Sequence, residues 1–170
     1  MVKLTRKSDR RNIVAGRRTF FAGCKTYMDR PFFQAKNEAE LFIDVLRTNT
    51  LAGKFKLHEF VVMPDHFHLI VTPAPDVSLE KAVGYIKGGF SFRVKKEQAF
   101  NSLVWEESFT NHRIRDAEDY QRHREYIHQN PVKAGLAKTA SAYLYSSAFR
   151  SSASPGMELD PTPPGLKPML

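Results

Sequence analysis

Cys24 is the only cysteine in this chain, so neither an intrachain disulfide nor a cysteine-rich zinc site can be built from it. Cys24 itself reads as a small core residue. Acidic residues are also scarce, with 18 Asp and Glu against 26 Lys and Arg. No 18 apolar residues run together, and the first residues lack the apolar core of a secretion signal. These absences predict a soluble, cytoplasmic protein. No internal repeat is visible. The glycine-rich stretch "GYIKGGF" lacks a following Gly-Lys-Ser/Thr, which removes a nucleotide-binding P-loop. Its glycines read instead as points of close backbone approach.

What is present is a folded domain. Hydrophobic residues make up 42% of 170 residues, 13 of them Phe, enough for one sizeable core. The net charge of +8 and the pI near 9.7 favour an anionic partner such as nucleic acid. Much of the excess lies early, in Lys3, Arg6, Lys7, Arg10, Arg11, Arg17 and Arg18 against Asp9 alone. That segment reads as a solubilising tail or as an arm following phosphates. It lacks the aromatic and leucine face of an interfacial helix, so no membrane partner is expected.

Hydrophobic periodicity orders the chain. A strand is predicted over residues 19 to 28, then a helix capped by Asn37 with Leu41, Phe42, Val45 and Leu46 on its apolar face. "KLHEFVVM" and "HFHLIV" form a hairpin about the Pro64-Asp65 turn. Ser78 caps a second helix, "SLVWEESF" makes a fourth strand, and Asp116 opens a third helix that stops before Pro131. The class is α+β. The order matches a ferredoxin-like split βαβ sandwich with an antiparallel sheet and an added C-terminal helix. Residues 1–150 form the domain with its basic arm, and the Pro-, Ser- and Gly-rich residues 151–170 read as a disordered or loosely docked tail.

Two stretches carry candidate chemistry. In "VVMPDHFHLIV", residues 61 to 71, strand alternation puts Phe67, Leu69 and Val71 on one face and His66 and His68 on the other. The two imidazoles advance roughly 6.6 Å along that face, close enough to bend toward one ion. Ordinary strand packing remains the alternative. In the third helix, Asp119, Arg122, His123, Tyr126, Gln129, Asn130 and Lys133 share a polar stripe, with Tyr120 and Ile127 on the packing side. Tyr126 is amphipathic decoration or a nucleophile. The Asn130 amide oxygen could join His66 and His68 as a ligand, leaving sites on the ion for phosphate oxygens. His123 lies on the face of Tyr126 and could aid proton transfer, whereas His58 reads as structural. Lys87 and Arg93 face solvent or phosphate. Arg113 and Arg115, at the entry to the helix, favour DNA contact.

These residues resemble the single-tyrosine HUH transposases, in particular the REP-associated tyrosine transposases. "VVMPDHFHLIV" is similar to their histidine motif and "YIHQNPVKAGL" to their tyrosine-helix motif. "YIKGGFSFRV", "LVWEESFTNHRIRD" and "YLYSS" follow in the family's order, over about residues 15–150. The resemblance implies His66, His68 and Asn130 as ligands of Mg²⁺ or Mn²⁺, Tyr126 as nucleophile, and no nucleotide cofactor. Imidazole chemistry alone would admit Zn²⁺ as well. It implies cutting of single-stranded DNA beside hairpin repeats through a 5′-phosphotyrosine, by a monomer that is nucleoid-associated when bound. Arg17, Arg18, Lys87, Arg93, Arg113, Arg115 and Lys133 are the expected DNA contacts. Two rivals share the scaffold: a non-catalytic nucleic-acid binder, and a small metallohydrolase using activated water.

Overall fold

The computed structural model describes residues 18–149 and 158–168. The basic arm, Arg17 included, lies outside the described residues, as does the first part of the expected tail. Strands β1 (Phe20–Lys25), β2 (Phe55–Met63), β3 (His66–Pro73) and β4 (Thr110–Arg113) form one sheet in the order β2-β3-β1-β4. Each neighbouring pair is antiparallel. Helices α1 (Lys36–Leu51) and α2 (Leu79–Gln98) cover one face, and α3 (Ala117–Lys133) crosses the other. This is the expected ferredoxin-like α+β arrangement.

The α1/α2 face holds the larger core. Phe67, Leu69 and Val71 of β3 meet Phe42, Val45 and Leu46 of α1 and Val83, Ile86 and Phe90 of α2. Phe33, Phe42, Phe90 and Trp105 pack there ring against ring, with centroids 5.1 to 5.8 Å apart. Gly89 faces α1: a Cβ on it would stand 3.3 Å from Val45 Cγ1, so the glycine serves helix packing. Cys24 is buried, and burial raises its thiol pKa, against a lowering by Lys87.

The α3 face depends on a bulge. Leu57 pairs with Val71 but Glu59 pairs with Ile70, leaving His58 extra. The insertion resets the alternation, so that Leu57, Phe60 and Val62 face the larger core while Val61 and Met63 turn to α3. His58 is fastened by its Nε2 to Thr72 Oγ1 at 2.8 Å and by its Nδ1 to the Asp160 carbonyl at 3.2 Å. Tyr120 and Ile127 of α3 are fully buried against Val61, Ile70 and Ile114.

Several boundaries differ from the sequence expectation: the first strand, for one, is Phe20–Lys25 and gives way to a turn at Tyr27–Asp29. The fourth strand is Thr110–Arg113; Val104 and Trp105 are buried for core packing, and Trp105 only bridges Thr26. Helix α1 begins at Lys36 with Ala35 in the cap position, so Asn37 lies inside the first turn. Helix α3 continues through Pro131 to Lys133: a proline near a helix end forfeits one donor, and burial of its ring favours continuation.

The outer edge of β2 is covered from within. Val62 N–H donates to the Tyr145 carbonyl and Ser147 N–H to the Phe60 carbonyl. Further along, Asp160 N–H donates to the Leu57 carbonyl while its carboxylate accepts from Leu57 N–H, at 2.9 Å each. Leu166 closes the same strap by burying itself in the α3-side core.

Candidate active site

The site is assembled where β3, β1 and α3 meet. His66 and His68 project from β3 toward α3, with ring centroids 5.0 Å apart. Asp65, the last turn residue before β3, accepts a 2.6 Å hydrogen bond from His66 Nδ1. A carboxylate on Nδ1 fixes the tautomer in which Nε2 carries the lone pair, as in histidines oriented for metal binding. Sequence reasoning took Asp65 only as a turn former.

His68 is almost completely buried, and its Nδ1 has no hydrogen-bond partner among the described residues. Burial, with the nearby His66, lowers its pKa to about 3, so its imidazole is neutral at physiological pH. The ring leans across β1 over Gly23. A Cβ on Gly23 would fall 2.4 Å from His68 Nδ1 and 2.8 Å from the Phe67 carbonyl, so only glycine leaves room for the ring. The lean brings His68 against Phe21, stacked at 5.0 Å and 19°. A neutral, unpartnered imidazole beside a second histidine oriented by a carboxylate fits a divalent ion.

Tyr126 stands over His68 from α3. Its ring meets His68 edge-on at 5.3 Å and Phe21 at 5.8 Å, yet it remains 44% exposed. Asn130 lies one turn further along α3 and is half-buried. Helix α3 is held in place by Tyr120 and Ile127, and by Glu59 of β2. The Glu59 carboxylate accepts from Arg124 Nε at 2.9 Å and His128 Nε2 at 2.8 Å, and from the Ser147 hydroxyl. Burial opposes ionisation of Glu59, but those bonds outweigh it and lower its pKa.

A second polar cluster sits at the start of α3. Asp119, only 2% exposed, accepts from His112 Nε2 at 2.7 Å and from Arg115 N–H at 2.9 Å, and has His123 Nδ1 at 3.1 Å. Burial again opposes ionisation, but His112 and the Arg115 amide lower the Asp119 pKa. The donor atoms of His112, Asp119 and His123 lie within 4.8 Å of one another, a spacing a metal could use. The Arg115 and Arg122 guanidinium groups flank the carboxylate at 4.0 and 3.7 Å, so it already has cationic neighbours. His112 was not singled out from the sequence, and only its place on a polar strand facing the tyrosine helix could have signalled it.

The expected DNA contacts divide. Arg18 donates to the carbonyls of Pro75 and Val77 at 3.1 and 2.8 Å, holding the loop after β3. Lys87 donates to the Glu106 and Glu107 carbonyls at 2.8 and 3.2 Å, and Arg93 pairs with Asp44 and Glu97. Arg115 and Lys133 present exposed side chains, and Arg113 lies half-buried on β4. No helix among the described residues is long and apolar enough to cross a membrane.

Residues 25–130 match the family described as "Transposase IS200 like". A REP-associated tyrosine transposase of Escherichia coli (strain K12) is 33% identical over 100 residues, 58% of this chain and 58% of that protein. A Haemophilus influenzae protein given the same name provisionally is 33% identical over 106 residues, 56% of this chain and 60% of its own length. The chain therefore matches less than two thirds of the length of these curated relatives. A solved REP-associated tyrosine transposase bound to a REP hairpin superimposes with a TM-score of 0.61 at 27% identity, covering 83% of this chain and 82% of that one. Running from the end of β1 through both histidines and Tyr126 to Asn130, the family match takes in more than half of the chain, which belongs to the IS200-like transposases.

Proposed function

We propose that this chain is a metal-dependent endonuclease and strand transferase acting on single-stranded DNA beside hairpin repeats, with Tyr126 as its nucleophile. The observation that carries the reading is the half-exposed Tyr126 ring set edge-on over His68, the histidine that neighbours His66. His66, His68 and Asn130 would hold Mg²⁺ or Mn²⁺. When bound, such an ion neutralises non-bridging phosphate oxygens and orients the phosphorus.

The protein's own part is positional. Tyr126 loses its phenolic proton, its oxygen bonds to phosphorus, and the bond from phosphorus to the 3′ oxygen breaks. The departing oxygen takes up a proton as a 3′-OH, leaving a 5′-phosphotyrosine. That ester retains the energy of the broken linkage, so rejoining to another 3′-OH needs no nucleotide triphosphate. The half-exposed phenol leaves room for a flexible strand, whereas a continuous duplex resists presenting its phosphate in line. Arg113, Arg115 and Lys133 are the proposed phosphate contacts around α3, with Arg17 on the arm. Arg18, Lys87 and Arg93 are proposed as further phosphate contacts. The proposed active unit is a monomer.

The test mixes the protein with labelled hairpin-bearing single-stranded DNA and Mg²⁺ or Mn²⁺ on a denaturing gel. A covalent adduct lost in Tyr126→Phe and in chelator is the expected result. Cleavage without an adduct would indicate an activated-water hydrolase, and binding without cleavage a non-catalytic binder.

A further inference from the structure

Four rings run in a row across the α3 face of the sheet. His68 of β3 stacks on Phe21 of β1, Phe21 meets His123 of α3 at 4.8 Å, and His123 stacks on His112 of β4 at 4.6 Å and 13°. The register explains the row: Phe21 pairs with His112 on one side and Ile70 on the other, and Gly23 leaves the gap that His68 fills. Tyr126 touches two members, Phe21 and His68, and lies one turn beyond His123 on the same helix. Asp119 secures the far end. The His123 Nδ1 hydrogen bond goes to the Asp119 backbone carbonyl at 2.8 Å, while the Asp119 carboxylate accepts from His112 Nε2 at 2.7 Å and has the same His123 nitrogen 3.1 Å away.

We propose that Asp119 is a positioning residue for the Tyr126 phenol, acting through His123 and the Phe21 ring to fix where the tyrosine stands relative to His68. A lone tyrosine on a helix surface has rotamer freedom. Here Phe21 is held between His68 and His123, so it presents a fixed wall to one side of the Tyr126 ring. The Asp119 carboxylate fixes His112, on which His123 stacks, and its charge beside His123 Nδ1 keeps that ring from swinging away from the wall; through His112 it also ties the start of α3 to the sheet. The device rests on Tyr126 being the nucleophile. Its geometry can be tested apart from that role.

The experiment uses the full chain and two readouts. In cleavage of hairpin-bearing single-stranded DNA, Asp119→Asn should lower kcat by about 10²-fold, the scale of a 1 Å misplacement, with KM and DNA affinity nearly unchanged. Phe21→Leu should do the same, and Phe21→Tyr should restore most of kcat. Separately, 19F NMR of fluorotyrosine-labelled protein without DNA, with the Tyr126 resonance assigned by Tyr126→Phe, should show that resonance shifted and broadened in Asp119→Asn. If Asp119→Asn melts below the assay temperature, His123→Gln cuts the same link while keeping the buried carboxylate, and is read identically. An unchanged kcat with an unmoved Tyr126 resonance overturns the proposal. A shifted resonance in a protein that still cleaves as Tyr126→Phe supports the positioning and refutes the nucleophile.

Discussion

Gly23 does more for the site than its lack of a side chain suggests. The volume its Cβ would occupy is taken by His68, whose Nδ1 would lie 2.4 Å away. In Gly23→Ala the imidazole must turn from Phe21, and the strands must also part slightly, because the Phe67 carbonyl would stand 2.8 Å from the new Cβ. Overpacking of this kind costs on the order of 1–3 kcal/mol. The expected outcome is a modest loss of stability with a larger loss of Mn²⁺ affinity, measured by calorimetry; unchanged affinity would remove His68 from the ligand set. His66→Ala should lose metal binding outright. Asp65→Asn, which keeps a hydrogen-bond partner for His66 but removes its charge, should weaken binding about 10–100-fold, as outer-shell changes do.

Among the elements, α3 has to stay registered on the sheet for its tyrosine to stay over β3. Glu59 is the main polar tie, joining β2 to Arg124 and His128. Its folded pKa lies below the unfolded value, so the stability it supplies is present above the unfolded carboxylate pKa and is lost as pH falls through the folded one. Removing one partner of a fully buried pair costs about 3–5 kcal/mol. Arg124 is 42% exposed, so a smaller cost, on the order of 2 kcal/mol, is expected for Glu59→Gln. Denaturant melts from pH 3 to 7 should show the wild type losing stability in acid and Glu59→Gln following a flatter profile; parallel profiles would argue against the assignment.

Those elements also show what a sequence can disclose. The facing of His66 and His68 was legible because strand alternation is strict over "HFHLIV", and the polar stripe around Tyr126 because helix spacing is equally regular. The bulge at His58 was not, since nothing in "KLHEFVVM" marks an extra residue. The fourth strand was misplaced because the apolar pattern around Trp105 reports burial beneath α2, where its indole donates to the Lys87 carbonyl, and not ladder pairing. The Asp119 cluster stayed hidden for another reason. It joins β4 to α3 through side chains with no apolar signature, and only the fold brings them together.

At the scale of the whole molecule, charge and edges matter more than any single contact. Deleting residues 1–11 removes Lys3, Arg6, Lys7, Arg10 and Arg11 against Asp9. If the arm follows a single strand, each lost phosphate contact lowers the slope of log affinity against log salt by about 0.7. The chemical step at saturating DNA should hold steady, because the proposed ligands and nucleophile all lie in β3 and α3. An unchanged salt slope would assign binding to Arg113, Arg115 and Lys133 instead.

The internal cover over β2 has a bearing on colloidal behaviour. An open strand edge is a template on which a second chain can add itself, and long apolar edges of that kind seed aggregation. Here residues 145–147 and Asp160 already occupy the backbone groups of Leu57, Phe60 and Val62, and the opposite edge is the four-residue β4. Removing the chain from residue 158 onward would bare the bulged half of a strand rich in Phe, Leu and Val. The shortened protein is expected to elute from size exclusion as concentration-dependent higher species while the full chain stays monodisperse, and equal elution of the two would show the edge to be harmless.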